Sequence, residues 1–421
     1  MKVRLENFQA LHKEMRESGV DALWICGDLR NNPDMVYFTG IHHVIDADLF
    51  LKVDEEPVLY HRVTMESEEA ALSGLNTTPY FLDRPLNDYL DANNGDLLRA
   101  YADRICEALR EIELTEGRIA LSGSGKIARL YALVNLVNEQ FPALDIQCFL
   151  DGGPLAKSRM LKSNSEIDRI KKIGGITTEV MGRVQEYISR KFESKGKLLH
   201  EDRSPVLIGD VKKQIQLWLA ELGADNPEDT IFSIGRDGGV PHNTGNPDDV
   251  LRTGVPIVFD IFPCESGGGY FYDITRTWSI GYAADEALAV YEQVLDVHHR
   301  LITELKAGVH FRQIQKRTCQ LFAELGHPTI CGDKTTTSGY CHSIGHGVGL
   351  NIHEKPFSGA TTAKDDFLNP GVVFTIEPGL YYPEKGFGVR VEDTLYLNEH
   401  GVFEILAEYP YDHVIPVKKS I

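Results

Sequence analysis

The sequence predicts an α+β protein with two domains, a smaller α/β domain at residues 1–158 and a larger domain at residues 159–421. Three observations support this division. Strand-like apolar runs alternate with amphipathic helices in the first part, a helix start signal opens the second, and two hairpins with paired acids follow it. A chain of 421 residues with 42% hydrophobic content is long enough to form two cores.

The N-terminal domain is predicted from three short apolar runs, each with the length and composition of a buried strand. Amphipathic segments separate them, and this alternation is typical of an α/β domain. The runs are Asp21–Gly27, Ala47–Val53 and Arg118–Gly123. The domain boundary is predicted from Ser163 and Glu166, because Ser followed three positions later by Glu forms a capping box at the start of a helix.

The first predicted hairpin joins the apolar runs Val255–Pro263 and Gly269–Trp278, each of which contains one acidic residue. A six-residue, glycine-rich loop at Cys264–Gly269 would place Asp260 directly opposite Asp273. Like charges on directly opposed strand positions are destabilising, and neither run places a cation between them. A bound metal ion is therefore the preferred interpretation of this pair.

A second predicted hairpin repeats the pattern. The runs Val372–Tyr382 and Gly386–Leu397 flank a turn-like PEKG segment, and this register pairs Glu377 with Glu392. Two hairpins with acidic pairs at mirrored positions suggest two related halves that close around one polar centre.

Three histidines lie between the hairpins, in a glycine-rich segment that allows close backbone approach. They are His342, His346 and His353. Any one histidine is usually a core or surface residue, but three between two acidic pairs predict that at least one binds metal. Four carboxylates and one imidazole suit two divalent ions such as Mn²⁺, Fe²⁺, Co²⁺ or Zn²⁺, whereas a structural zinc site would be expected to use thiolates.

These motifs resemble those of the pita-bread metallopeptidases, which include Xaa-Pro aminopeptidases, Xaa-Pro dipeptidases (prolidases) and methionine aminopeptidases. The resemblance lies in DITRT, GHGVG, NIHE, IEPG and VRVEDT and covers the chain from residue 159 to its C-terminus. It implies a C-terminal pita-bread domain. The MVYFTG segment, Met35–Gly40, is similar to one in the N-terminal domain of aminopeptidase P, prolidase and creatinase, which implies a creatinase-like domain and favours proline-directed enzymes.

The resemblance also implies a role for each site residue. The five implied metal ligands are Asp260, Asp273, His346, Glu377 and Glu392. Asp273 and Glu392 would bridge two ions, and Glu377 would also act as the catalytic base.

The same resemblance implies roles around the metals. His242 and His353 would contact the substrate and stabilise the tetrahedral intermediate, and His342 would line the substrate pocket. Arg390 is expected either to bind substrate or to form an ion pair with the ligand carboxylates. Tyr381 and Tyr382 are candidates for a slot that receives the proline ring, or alternatively are core residues.

The predicted function is metal-dependent hydrolysis of the peptide bond before proline, as a dipeptidase or an aminopeptidase. Manganese is the expected metal, with cobalt, zinc or iron as alternatives, and the family resemblance implies a homodimer. One alternative is a metal-dependent hydrolase or lyase that acts on a small non-peptide substrate. Another is a non-enzymatic binding protein on the same scaffold.

Composition restricts the partners. Lys+Arg 43 against Asp+Glu 62 gives a net charge of −19, which argues against nucleic acid or an anionic membrane as a partner. No apolar run approaches the length of a membrane span. Seven cysteines without a CxxC motif predict reduced thiols and a cytoplasmic protein.

Overall fold

The computed structural model describes residues 2–360 and 362–419. The chain divides into two compact units, of which the first is Met1–Arg159 with Gly267–Gly269 and the second is Met160–Ser266 with Tyr270–Ile421. The predicted boundary lay one residue earlier, between residues 158 and 159.

A six-stranded sheet forms the centre of the first unit, with strand order β4-β3-β2-β1-β5-β6. Its strands are β1 (Ala22–Gly27), β2 (Ala47–Lys52), β3 (Val58–His61), β4 (Asn76–Pro79), β5 (Gly117–Gly123) and β6 (Leu144–Gln147). The helices are α1 (Lys2–Glu17), α2 (Pro33–Thr39), α3 (Ser67–Leu72), α4 (Leu86–Ala92), α5 (Leu97–Glu111), α6 (Ile127–Gln140) and α7 (Gly153–Met160). The three strands predicted from the sequence are confirmed as β1, β2 and β5.

Strand β1 shows why this sheet forms. Trp24 packs in one apolar cluster, whereas Leu23 and Ile25 pack in a second. Successive side chains of a strand point to opposite faces, so the sheet is buried on both sides. A continuous apolar run such as ALWICG is the sequence pattern that this burial requires.

The second unit is larger and contains most of the strands. Its helices are α8 (Asn164–Ser189), α9 (Ile208–Glu221), α10 (Asp285–Glu304) and α11 (Phe311–Glu324). Its strands are β7 (Phe192–Ser194), β8 (Lys197–Leu199), β9 (Ala224–Asp225), β10 (Thr230–Ile234), β11 (Thr253–Gly254), β12 (Pro256–Ile261), β13 (Cys264–Glu265), β14 (Ile274–Ala283), β15 (Val309–His310), β16 (His346–Gly347), β17 (Glu354–Phe357), β18 (Phe367–Leu368), β19 (Val373–Ile376), β20 (Gly379–Tyr382), β21 (Phe387–Arg390), β22 (Asp393–Leu397), β23 (Phe403–Ile405), β24 (Val414–Ile415) and β25 (Lys418–Lys419).

The predicted capping box at the start of α8 is confirmed. The backbone N–H of Ser163 donates to Glu166 Oε2 at 2.8 Å, and the two side chains are also hydrogen-bonded. These bonds satisfy donors that the first turn of a helix leaves free. The apolar face of α8 then packs into the unit, with Ile167, Ile170 and Ile173 all buried.

Two five-stranded sheets carry the acidic residues. One has the order β10-β12-β14-β11 with β24 paired to β14, and the other has the order β17-β16-β19-β22-β23. An isolated bridge between Thr275 and Glu392 connects them, with the Glu392 N–H donating to the Thr275 carbonyl at 3.1 Å. The polar centre therefore lies where the two sheets meet.

The register predicted for the first hairpin is wrong by two residues. Asp260 pairs with Thr275, not with Asp273. The cause is a shorter loop, because the Glu265 N–H donates to the Tyr270 carbonyl at 3.0 Å and only four residues remain to make the turn. A shift of two keeps every side chain on its predicted face, so Asp273 still points to the same side of the sheet as Asp260.

The register of the second hairpin is confirmed on both sides of its acidic pair. Ile376 pairs with Asp393 in the β19–β22 ladder, and Gly379 pairs with Arg390 in the β20–β21 ladder. Glu377 and Glu392 lie between these two ladders at opposing positions.

The prediction that all thiols are reduced is wrong for one pair. Cys319 on α11 forms a disulfide with Cys331, with 6.0 Å between their Cα atoms. The chain turns back after α11, which brings together two cysteines 12 residues apart, and their spacing alone gave no sign of this. Among the described residues, the other five cysteines are not part of a disulfide: Cys26, Cys106, Cys148, Cys264 and Cys341. Among the described helices, none has the length and apolar character needed to cross a membrane.

Candidate active site

Four carboxylates from strand ends meet in one cavity of the second unit. Asp260 lies near the end of β12, Asp273 directly before β14, Glu377 directly after β19 and Glu392 directly before β22. Three are almost fully buried, with exposed fractions of 8% for Asp260, 4% for Asp273 and 1% for Glu392. Burial of so many acids in so small a volume requires a compensating positive charge.

His346 on β16 is aimed at these acids. Its Nε2 atom lies 3.6 Å from Asp273 Oδ2 and 3.7 Å from Glu377 Oε1. Its Nδ1 atom lies 3.1 Å from the Gly347 carbonyl, a contact in which Nδ1–H donates. That bond leaves the Nε2 lone pair directed at the carboxylates, which is the arrangement of a metal-binding histidine.

The geometry of this cluster fits a metal ion. Asp273, His346 and Glu392 each offer a ligand atom, and these atoms lie within 4.8 Å of one another. In the part of the chain that the structure describes, Asp260 Oδ1 and Asp273 Oδ1 are buried without a hydrogen-bond partner. Buried polar atoms without partners are rare, and hard oxygen ligands with one imidazole suit divalent ions.

The pKa values of the cluster are shifted mainly by burial. Burial and the neighbouring carboxylates raise the pKa values of Asp273 and Glu392 well above those of ordinary acids. Burial also raises the pKa of Glu377 to about 8 and lowers the pKa of His346 to about 3. Every shift favours the uncharged form, as expected of metal ligands considered without their metal.

Arg390 is the cation closest to the acids, and only 2% of its surface is exposed. Its Nη2 atom donates to Asp260 Oδ2, and its Nε atom donates to Thr275 Oγ1 at 3.1 Å. Thr275 Oγ1 in turn donates to Glu392 Oε2 at 2.6 Å. These bonds support the ion-pair alternative for Arg390, because its guanidinium holds two of the acidic side chains in place.

The other predicted histidines line the same cavity. The centroids of the His353 and His346 rings lie 4.3 Å apart. His342 Nδ1 lies 3.9 Å from Glu377 Oε2, and its Nε2 atom lies 3.0 Å from the Tyr381 hydroxyl. His242 lies at the exposed rim. The structure therefore brings together all nine predicted site residues around one cavity: Asp260, Asp273, His346, Glu377, Glu392, His242, His342, His353 and Arg390.

The sequence model of metallopeptidase family M24 matches residues 168–399, which is more than half of the chain. The chain belongs to metallopeptidase family M24.

Similar proteins support the same placement. An Xaa-Pro dipeptidase of Pyrococcus furiosus is 31% identical over 245 residues, which are 58% of this chain and 62% of that protein. The chain thus spans about three fifths of the length of that relative. A solved Xaa-Pro dipeptidase from Bacillus anthracis gives a TM-score of 0.74 at 21% identity, covering 98% of this chain and 99% of that one. An X-Pro aminopeptidase from Thermotoga maritima gives 0.73 at 24% identity, covering 96% and 100%.

The predicted fold is therefore confirmed. The C-terminal domain has the pita-bread fold of family M24, and an N-terminal domain precedes it. Membership of family M24 agrees with a divalent metal at the acidic cluster, and the geometry of Asp273, His346 and Glu392 provides a place for it.

Sequence reasoning missed the apolar lining of the M24 site. The cavity has a volume of about 500 Å³. Its lining residues outside the predicted set are Glu228, Ile231, Pro241, Thr244, Phe262, Ser343, Ile352 and Phe357. They lie in several separate strands and loops, and no spacing in the sequence connects them. Tyr381 and Tyr382 are buried and are not among the lining residues, which agrees with the alternative that they are core residues and not the wall of a proline slot.

Proposed function

We propose that the chain hydrolyses peptide bonds that precede proline and uses two divalent metal ions. The observation that carries this proposal is the cluster of buried carboxylates around His346, which includes oxygens without hydrogen-bond partners. The ligands would be Asp260, Asp273, His346, Glu377 and Glu392, with Asp273 and Glu392 shared between the ions. Manganese is the metal that we expect. When bound, such ions lower the pKa of a water molecule and polarise a carbonyl group.

Glu377 is the residue that we assign to proton transfer. It is the least buried of the four acids, with a side-chain exposure of 14%, and it faces the cavity. A carboxylate in this position can accept a proton from a water molecule in the cavity. Glu377 would take a proton from the attacking water and pass it to the leaving nitrogen.

His242 and His353 would hold the substrate carbonyl. Both line the cavity, and both carry ring nitrogens that can donate a hydrogen bond to an oxygen as negative charge develops on it. His342 is hydrogen-bonded to the Tyr381 hydroxyl, and this bond holds the His342 ring beside Glu377.

The apolar lining supports proline as the residue after the scissile bond. A proline nitrogen carries no N–H and its ring fixes φ, so a site that grips an extended backbone by hydrogen bonds rejects it. A site for proline needs apolar surface for the ring instead. Ile231, Phe262, Ile352 and Phe357 provide such a surface at the cavity wall.

A substrate panel tests the proposed function. Protein loaded with Mn²⁺ is incubated with an Xaa-Pro dipeptide, an Xaa-Pro-Yaa tripeptide, a Met-Ala-Ser peptide and an Xaa-Ala control. We expect cleavage of one or both proline peptides and little of the others. If neither proline peptide is cleaved while two metals are bound, the non-peptide hydrolase or lyase replaces the peptidase as the proposal. A homodimer, which the family resemblance implies, is tested on the same sample by light scattering.

A further inference from the structure

The charges that line the cavity are almost all negative. Five carboxylates face it, and four of them are the proposed metal ligands. Two divalent ions would bring four positive charges to these ligands, and Arg390 is already paired with Asp260. Glu228 then remains as an exposed carboxylate at the rim, without an ion pair or hydrogen bond to any residue that the structure describes, although its charge acts on the nearby ring of His353.

Arg390 is the sole permanently charged cation among the described lining residues, and its donors are already used. Nη1 donates to the Tyr381 hydroxyl at 2.8 Å and to the Pro241 carbonyl at 3.2 Å. Nε and Nη2 donate to Thr275 and Asp260. Four of the five N–H groups of the Arg390 guanidinium therefore already donate hydrogen bonds. A bidentate ion pair with a substrate carboxylate would require two free parallel N–H groups.

This arrangement bears on the length of the substrate. In a free Xaa-Pro dipeptide, the carboxylate is attached to the Cα atom of proline and must enter the cavity with the ring. In a longer peptide, the same position is a neutral amide. A carboxylate brought into a cavity without a free cationic donor loses its hydration, and Glu228 at the rim of the same cavity adds a like charge.

We propose that the cavity selects peptides that continue beyond proline and discriminates against a free proline carboxylate, with Glu228 as a specificity-determining residue. This inference rests on the proposed function and decides between its two forms in favour of the aminopeptidase.

The test compares two substrates that differ only in charge, an Ala-Pro dipeptide and its C-terminal amide. We expect kcat/KM for the amide to exceed that for the acid by about tenfold or more, mainly through KM, since the unfavourable contact weakens binding. In the Glu228→Gln variant, the ratio of kcat/KM for the amide to kcat/KM for the acid should fall several-fold. Glu221→Gln, which changes an exposed acid on α9 outside the cavity, should leave their ratio as it is.

The outcomes separate the two proposals. Equal or faster hydrolysis of the free acid would overturn the inference and leave the peptidase in place. An unchanged ratio in Glu228→Gln would remove Glu228 from the explanation. If neither form nor an Ala-Pro-Yaa peptide is cleaved with both metals bound, the proposed function itself is wrong, and this inference with it.

Discussion

Asp273 is a buried acid whose environment favours its uncharged form. Asp393 is buried to a similar extent, but its carboxylate is paired with Arg276 at 2.8 Å and accepts a hydrogen bond from Tyr411 at 2.6 Å. Although burial opposes this, Arg276 and His298 lower the pKa of Asp393 to about 2. Two aspartates near the same centre therefore differ in whether the protein itself supplies the counter-charge.

This difference predicts opposite effects of Asp→Asn changes. Without metal, Asp273→Asn should stabilise the protein by about 1 kcal/mol or more, because each pKa unit of upward shift corresponds to about 1.4 kcal/mol. With Mn²⁺ the same variant should be less stable than the wild type, because a ligand is lost. Thermal unfolding in EDTA and in Mn²⁺ measures both effects.

Asp393→Asn is the matched control, because it leaves Arg276 buried without its partner. It should lower stability by roughly 3–5 kcal/mol with or without metal. If Asp273→Asn lowers stability in EDTA as much as Asp393→Asn does, the metal-free protein does not lack a counter-charge at Asp273, and the assignment of Asp273 as a metal ligand is contradicted.

Glu377 is predicted to act in proton transfer as well as in metal binding. Glu377→Gln keeps the size of the side chain and one ligating oxygen but removes the proton acceptor, so kcat should fall by about 10² or more. Metal content, measured by elemental analysis, should fall less. Glu384→Gln, an exposed change in the turn of the same hairpin, serves as the control. Near-normal turnover in Glu377→Gln would exclude this residue as the base.

The hairpins show which parts of the site the sequence could predict. Alternation along a strand determines which side chains share a face, and it correctly placed the two acids of each hairpin on one face. The loop of the first hairpin allowed either four or six residues, and only the Glu265–Tyr270 backbone bond decides between them. The PEKG turn allowed less choice, so the pairing of Glu377 with Glu392 was predictable.

Contacts between distant segments lay beyond this reasoning. Phe262 and Phe357 line one cavity but are far apart in the sequence, and no local sequence pattern predicts that they lie close together. The Cys319–Cys331 disulfide depends on how the chain turns after α11. The periodicity of apolar residues predicts one helix or strand at a time. The cavity lining and the disulfide depend on how several helices and strands pack together.

The strand β16 is predicted to tolerate no side chain at Gly347. A Cβ atom there would lie 2.0 Å from the Lys355 carbonyl of the paired strand, which cannot move without breaking the ladder. Gly347→Ala should therefore destabilise the protein by roughly 1–3 kcal/mol and weaken metal binding through its neighbour His346. Chemical denaturation and metal titration measure the two effects.

Gly182→Ala is the control for this change. Gly182 lies within α8, and a Cβ atom there would meet nothing within 4 Å. This substitution should leave metal binding intact and stabilise the protein by about 0.5–1 kcal/mol, the usual advantage of Ala over Gly in a helix. Equal stability of the two variants would contradict the close packing of β16.

The stability of the whole molecule should depend on pH in a way that metal removes. The pKa of Glu377 is raised from 4.5 to about 8 in the folded, metal-free protein. The folded state then binds more protons than the unfolded state, so this contribution to stability is fully present below about pH 4.5 and is lost as the pH rises through 8. In EDTA, the melting temperature should therefore fall as the pH is raised from 5 to 8.

Saturating Mn²⁺ should reverse this trend, because metal binding competes with protons for the same oxygens. Glu377→Gln should show a shallower slope in EDTA than the wild type. A melting temperature that rises steadily from pH 5 to pH 8 in the metal-free protein would contradict the raised pKa values at this centre.

Because the site is divided between two hairpins, its residues are synthesised at different times. The strands that carry Asp260 and Asp273 are synthesised about a hundred residues before those that carry Glu377 and Glu392. A ribosome-bound chain that has completed only the first hairpin holds two acids and lacks the histidine, the base and the second pair. The proposed hydrolytic centre therefore forms only once both hairpins have been synthesised, and chains that carry the first hairpin alone would be unable to cut neighbouring nascent chains.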